Sequence, residues 1–192
     1  GKFNVYNALC AASAAGVCGL PFEAVLDALS GVSVPGRLQS VPCDRGFTVL
    51  VDYAHNAASL ENLLVTLREY CTGRLITMFG CGGDRAKSRR YEMGEVSGRL
   101  SDLTVITSDN PRSEDPAEII TDIMQGFSKT RGKCVIETDR RTAIEKTLSL
   151  AKKDDFVIIA GKGHEDYQIF KDRTIHFDDA ETAAEILSQM NS

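Results

Sequence analysis

Tryptophan is absent from this 192-residue chain, and proline and histidine are sparse, at five and three residues. No apolar run approaches the roughly 20 residues that cross a bilayer as a helix, so no membrane partner is expected. No leader is evident either: the first residues, GKFNVYNALC, place polar groups where an apolar signal core would run. Basic residues are not in excess. Lys and Arg number 22 against 27 Asp and Glu, a formal net charge of −5, and no basic stripe stands out. Nucleic acid is therefore not an expected partner. The six cysteines (Cys10, Cys18, Cys43, Cys71, Cys81, Cys134) include no C-x-x-C and no paired Cys/His set, which argues against a zinc site. Scattered in this way, they read as reduced thiols of a cytoplasmic protein. Cys81, in a glycine-rich loop, can be read as a nucleophile, although a small apolar filler is the commoner fate.

What is there is regular. Hydrophobic residues make up 43% and charged residues 26%, an ordinary globular balance. FTVLVDY (47–53), RLITMFG (74–80), LTVITS (103–108), CVIET (134–138) and DFVIIAG (155–161) predict strands, the last apolar on both faces as buried parallel strands are. Between them lie helical patterns. The first is 57–71, with Leu60, Leu63, Leu64 and Leu67 at helical spacing. The others are 89–101 (weakened by two glycines), 116–129 (with Pro116 suited to a first turn), 140–153 and 179–190. This alternation predicts an α/β fold: a Rossmann-like, mainly parallel sheet with helices on both faces. Residues 1–33 differ. They read as two short helices joined at Gly19–Leu20–Pro21, which cannot bury both faces and so suggest the tail of a larger preceding domain. The next segment, 33–41, reads as a connector.

Parallel sheets of this kind bind ligands in the crevice outside the carboxyl ends of their strands. Four polar loops follow strand patterns here: VDYAHNAAS, FGCGGDRAKSRR, SDNPRSEDP and AGKGHEDYQ. The second is not a dinucleotide fingerprint, because G-x-G-x-x-G needs glycine where Arg85 stands. No G-x-x-x-x-G-K-[ST] occurs, so these residues hold no P-loop. Together the loops offer something else. Arg85 and Arg112 can each pair two-pronged with a carboxylate, Asn110 can donate and accept, and Glu165 can hold an ammonium. That set suits a small zwitterion, and Pro111 stiffens its loop so that less entropy is lost on binding. Solvated loop charges remain the plain alternative for any one of them. Asp52 can accept a ribose hydroxyl or cap the following helix. His164 beside Glu165 can form an acid/base pair, although a loop histidine more often bonds a backbone carbonyl, and the same holds for His55.

GKFNVYNALCA, PGRLQ, VDYAHNAASLENLL, FGCGGDRAKSRR, TSDNPRSEDP and AGKGHEDYQ, in this order, closely resemble the Mur ligases of peptidoglycan synthesis over essentially the whole chain. The resemblance implies residues 1–33 as the end of a central ATPase domain and 34–192 as the C-terminal, amino-acid-binding domain. The P-loop would then lie in the part of the enzyme that precedes this segment, so the segment is expected to be inactive alone. It implies ATP and Mg2+ as cofactors of the full-length enzyme, and meso-2,6-diaminopimelate, ATP and a UDP-muramoyl-dipeptide as small-molecule partners, besides the enzyme's own other domains. Asn4, Asn7, Arg37, Asp52, His55 and Asn56 are implied as nucleotide neighbours. Arg85, Asp109, Asn110, Arg112, Gly161 and Glu165 are implied as the amino-acid pocket. Members adding diaminopimelate carry D-N-P-R, whereas lysine-adding members replace the arginine. The reaction implied is phosphorylation of the D-glutamate carboxylate by ATP, followed by attack of the diaminopimelate amine. No covalent nucleophile is expected here. A folylpolyglutamate synthetase, another Mur ligase, or a non-catalytic α/β module for an amino acid or nucleotide are the alternatives; D-N-P-R argues against the first two.

Overall fold

The computed structural model describes residues 2–32 and 34–190, with side chains from residue 5 onward. The chain divides into two compact units, Gly1–Val34 and Pro35–Ser192. The first holds helices α1 (Lys2–Val17) and α2 (Phe22–Gly31), with Pro21 (φ −60°) leading into the second helix. Among its described large apolar side chains only Val25 is buried; Tyr6, Leu9, Phe22 and Leu26 are exposed. Two short helices enclose too little volume to bury apolar surface on both sides.

The second unit alternates strand and helix. In chain order it contains β1 (Gln39–Val41), β2 (Thr48–Asp52), α3 (Ala57–Arg68), β3 (Leu75–Phe79), α4 (Lys87–Leu100) and β4 (Leu103–Ile106). There follow α5 (Pro116–Phe127), β5 (Cys134–Ile136), α6 (Arg140–Leu150), β6 (Phe156–Ala160), β7 (Tyr167–Ile169), β8 (Thr174–His176) and α7 (Asp179–Met190). One sheet runs β1-β2-β6-β3-β4-β5, parallel except for β1; β7 and β8 form a separate antiparallel pair.

The two-residue period of the strands splits their side chains between two cores. Leu50, Leu75, Phe79, Ile106 and Ile158 face α3, α4 and α5, where they meet Leu60, Leu64, Met93, Ile119 and Ile123. Val49, Val51, Ile76, Met78, Val105, Val157 and Ile159 face α6 and α7, meeting Ile144, Leu148, Ile186 and Leu187. Deleting one such leucine side chain removes about 2–5 kcal/mol.

Two elements depart from expectation. The connector 33–41 ends in β1, recruited to the sheet edge by backbone pairing from Gln39↔Val51 to Val41↔Val49. The β7–β8 pair is absent from the sequence pattern because strands of three residues are too short to display an alternation. Helix α4 passes through both of its glycines. Gly94 is required by a close helix–helix approach, since a Cβ there would stand 2.2 Å from the Ile123 carbonyl oxygen of α5.

The register sets up the ligand edge. Asp52 pairs with Ala160, Ala160 with Phe79, and Phe79 with Ile106, so β2, β6, β3 and β4 end on one rung. The four polar loops leave the sheet from that level.

Candidate functional site

At the β2 tip, Asp52 is buried. Its Oδ2 accepts the Leu38 N–H and its Oδ1 the Ala54 N–H, each at 2.9 Å. Burial pushes its carboxyl pKa up, opposed by those two N–H groups and by Arg37. It does not cap α3. Asn56 does, its Oδ1 accepting the Ser59 N–H at 2.9 Å while Ser59 Oγ accepts the Asn56 N–H. The His55 Nδ1–H donates to the Tyr53 carbonyl oxygen at 2.8 Å. Tyr53, passed over in the sequence, is the centre of this end of the site. The Arg37 guanidinium lies 4.9 Å from its ring centroid, and the His55 and His164 rings lie at 4.6 and 5.2 Å. Asn7 is exposed on α1 in the first unit, and the side chain of Asn4 lies outside the described residues.

The β4 and β6 tips are joined. Asp109 is buried, its Oδ1 accepting the Asn110 N–H at 2.6 Å. Burial pushes its pKa up, and the charges of Arg140 and Lys162 oppose the shift. Asn110 Nδ2 donates to Glu165 Oε2 at 2.8 Å, and its Oδ1 accepts the Ile169 N–H at 3.0 Å. Lys162 is fully buried. Its Nζ donates to Asn110 Oδ1 and to Glu165 Oε2, each at 3.4 Å, and to the Tyr167 carbonyl oxygen. Gly161 turns the chain with φ +114° beside Asp109 Oδ2.

Arg112 adopts φ +52°, donates its N–H to the Ile169 carbonyl oxygen at 3.0 Å, and sends Nη1 to the Gly83 carbonyl oxygen at 2.8 Å. Glu165, Asn110 and Arg112 thus belong to one bonded cluster. Arg85 stands apart: it is exposed, and its Nη1 donates to the adjacent Asp84 carbonyl. Among the described residues no hydrogen bond or ion pair brings Arg85 to Arg112 or Glu165. Ordering an exposed arginine costs side-chain entropy.

Sequence reasoning missed the buried cation beneath these loops. Arg140, at the start of α6, is paired with Asp179 through Nε (2.8 Å) and Nη2 (2.7 Å). It also donates to the Ser108 carbonyl oxygen at 3.0 Å and to the Ala160 carbonyl oxygen at 3.2 Å, clamping the ends of β4 and β6 together. No local pattern marks an arginine as buried; its partner lies 39 residues away.

Cys81 is a filler. It is buried, and desolvation pushes its thiol up to about 12, leaving no thiolate at neutral pH. Among the described residues, no three His, Cys, Asp or Glu side chains converge as a metal-ligand set. A cavity of about 590 Å³ at the opposite, amino end of the strands is bordered by Arg74, Arg99, Asp102, Arg131 and Lys133. Two of its cations are already paired, Arg74 with Asp155 at 2.6 Å and Arg99 with Glu61 at 3.0 Å.

A mainly parallel Rossmann-like sheet with helices on both faces and charged loops gathered on one rung is an α/β domain of the doubly wound class. Residues 36–163 match the family described as Mur ligase, glutamate ligase domain, and the chain belongs to that family. It is similar to the UDP-N-acetylmuramoyl-L-alanyl-D-glutamate–2,6-diaminopimelate ligase of Caldanaerobacter subterraneus subsp. tengcongensis, with 50% identity over 98% of this chain and 39% of that protein. The enzyme of the same name from Clostridium botulinum is 47% identical over 99% of this chain and 40% of its own length. A solved structure of a ligase so named superposes with a TM-score of 0.80 at 35% identity, covering 100% of this chain and 39% of that one. The chain therefore spans about two fifths of the length of the relatives it matches.

Proposed function

We propose that this chain is the amino-acid-binding part of an ATP-dependent amide ligase that adds meso-2,6-diaminopimelate to UDP-N-acetylmuramoyl-L-alanyl-D-glutamate in the cytoplasm, through an acyl phosphate. Residues 1–33 are the end of the ATP-binding domain and 34–192 the C-terminal domain. Arg112, Arg85, Asp109, Asn110, Gly161 and Glu165 form the diaminopimelate site. Asn4, Asn7, Arg37, Asp52, His55 and Asn56 border the nucleotide. ATP and Mg2+ are cofactors of the full-length enzyme, which the parts of it beyond these residues would hold.

The observation that carries this reading is the 2.8 Å bond from Asn110 to Glu165, which ties a carboxylate to the loop bearing Arg112. Both hydrogen bonds to that carboxylate, from Asn110 and Lys162, fall on Oε2. Among the described residues Oε1 accepts none, so it is the oxygen available to an ammonium group. Arg112 is half-buried, and among the described residues its guanidinium bonds a neutral carbonyl, that of Gly83, which a carboxylate can displace as a stronger acceptor. A ligand end carrying both a carboxylate and an ammonium satisfies both residues; the far end of L-lysine, lacking the carboxylate, leaves the guanidinium without its anion. The domain's contribution is to orient the attacking amine and exclude water as it closes on the acyl phosphate.

Calorimetry of meso-diaminopimelate and L-lysine against the wild-type chain and Arg112→Ala tests this. The wild type is expected to bind diaminopimelate in preference to lysine, and the variant to lose roughly 2 kcal/mol, about thirtyfold, of diaminopimelate affinity alone. Equal weak heats for both ligands in the wild type would remove the substrate assignment.

A further inference from the structure

The two loops that carry Arg85 and Arg112 are fastened together by an ion-pair node to which none of the roles above refers. Arg90, on α4, is 1% exposed. Its Nη1 and Nη2 donate to Glu114 Oε2 and Oε1 at 2.8 and 2.7 Å; Nη1 also reaches Asp122 Oδ2 at 2.8 Å, and Nη2 the Gly82 carbonyl oxygen at 3.4 Å. Glu114 lies two residues after Arg112, and its Oε1 accepts the backbone N–H of Asp84, the residue before Arg85, at 2.5 Å. Around this node the loops touch directly. The Gly83 N–H donates to the Asn110 carbonyl oxygen at 2.9 Å, and Ser113 Oγ donates to Asp84 Oδ1 at 2.5 Å. A Cβ at Gly83 would stand 1.9 Å from the Pro111 carbonyl oxygen, so only glycine allows this approach.

We propose that Glu114, held by Arg90, is a positioning residue of the diaminopimelate site: it fixes the spacing of the Arg85 and Arg112 loops and thereby the preference for a ligand with a second carboxylate. This rests on the function proposed above. The plainer role, an acid at the start of α5, is already filled. Asp115 is the N-cap and accepts the Ala117 N–H at 2.8 Å, whereas the Glu114 carboxylate turns away to Arg90 and Asp84. A two-pronged guanidinium–carboxylate pair sets angle as well as distance, which a point charge does not. Arg90 is itself pinned by Asp122 of α5, so the node refers both loops to the packed α4–α5 pair rather than to each other alone.

The test uses Glu114→Gln and Glu114→Asp in the 192-residue chain. Thermal melts establish folding, calorimetry measures meso-diaminopimelate and L-lysine, and amide exchange is followed at Gly83. The glutamine variant retains shape without charge; the aspartate variant retains charge but is one methylene too short to reach both Arg90 and Asp84. Both are expected to lose diaminopimelate affinity on the order of ten- to a hundredfold with lysine binding little changed, and to exchange the Gly83 amide faster. A purely stabilising role would lower the melting temperature and leave the ratio of the two ligand affinities at the wild-type value; that ratio, in a folded variant, overturns the proposal. If the wild type fails to distinguish the ligands, the function proposed above fails. The Gly83 exchange then still decides whether Glu114 ties the loops, unchanged exchange counting against it.

Discussion

Glu114 shows how one side chain's ionisation is set by what touches it. The Arg90 guanidinium, with help from the Asp84 N–H, holds its carboxyl down at about 2, from an ordinary 4.5. In that interval the unfolded chain binds the proton and the folded one does not, so stability rises with pH across it. The contribution is fully present above about pH 4.5 and is lost as pH falls toward 2. Denaturant midpoints measured from neutral to acid pH should therefore show wild type and Glu114→Gln converging below about pH 4.5, with a constant gap above it. A gap that stays constant down to the acid limit would contradict the ion pair. At this scale the sequence was legible where chemistry sits in a contiguous motif. Asn110, Arg112 and Glu165 could be singled out because their loops are polar immediately after strands. Arg90, Arg140 and Lys162 could not, since their partners lie in other elements and nothing local distinguishes a buried cation from a solvated one. The sequence allows Asp52 two roles; the structure gives the cap to Asn56 and turns the Asp52 carboxylate to the Leu38 and Ala54 amides.

Helices and strands were read from their periods, and the ones long enough to show a period were found. Leu60, Leu63, Leu64 and Leu67 place α3, and Pro116 after Asp115 places the start of α5. The β1 edge and the β7–β8 pair were not readable, because backbone pairing to a neighbour rather than side-chain pattern defines them. That hairpin matters to the site: Gln168 Nε2 donates to the Asp109 carbonyl oxygen at 2.8 Å, and the Ile169 backbone bonds both Asn110 and Arg112. The reciprocal Asn56/Ser59 cap is the element-scale feature open to a direct measurement. Asn56→Ala leaves the Ser59 N–H, in the first turn of α3, without its side-chain partner and should lower stability by about 1 kcal/mol, read from chemical denaturation. A loss much below that would mean that water replaces the cap.

For the molecule as a whole, strand order carries the lesson. The predicted α/β class holds, with helices on both faces, yet nothing in the alternation tells that β6, near the end of the chain, lies between β2 and β3. Thr48 of β2 and Leu75 of β3 both pair with Phe156. Parallel neighbours so distant along the chain are assembled slowly, because loop closure must precede the contacts that reward it.

That insertion has a consequence for biosynthesis. A ribosome must release the segment through Ala160 before β2 gains β6, its parallel neighbour. Until then the emerging polypeptide has an open slot flanked by apolar strands, a template for association with other chains. Stalled nascent chains ending at Asp155 should accordingly be cleaved readily by protease and bind chaperone, whereas chains extended through α7 should resist both. Equal resistance at the two lengths would mean that β2 finds shelter elsewhere while synthesis is still under way.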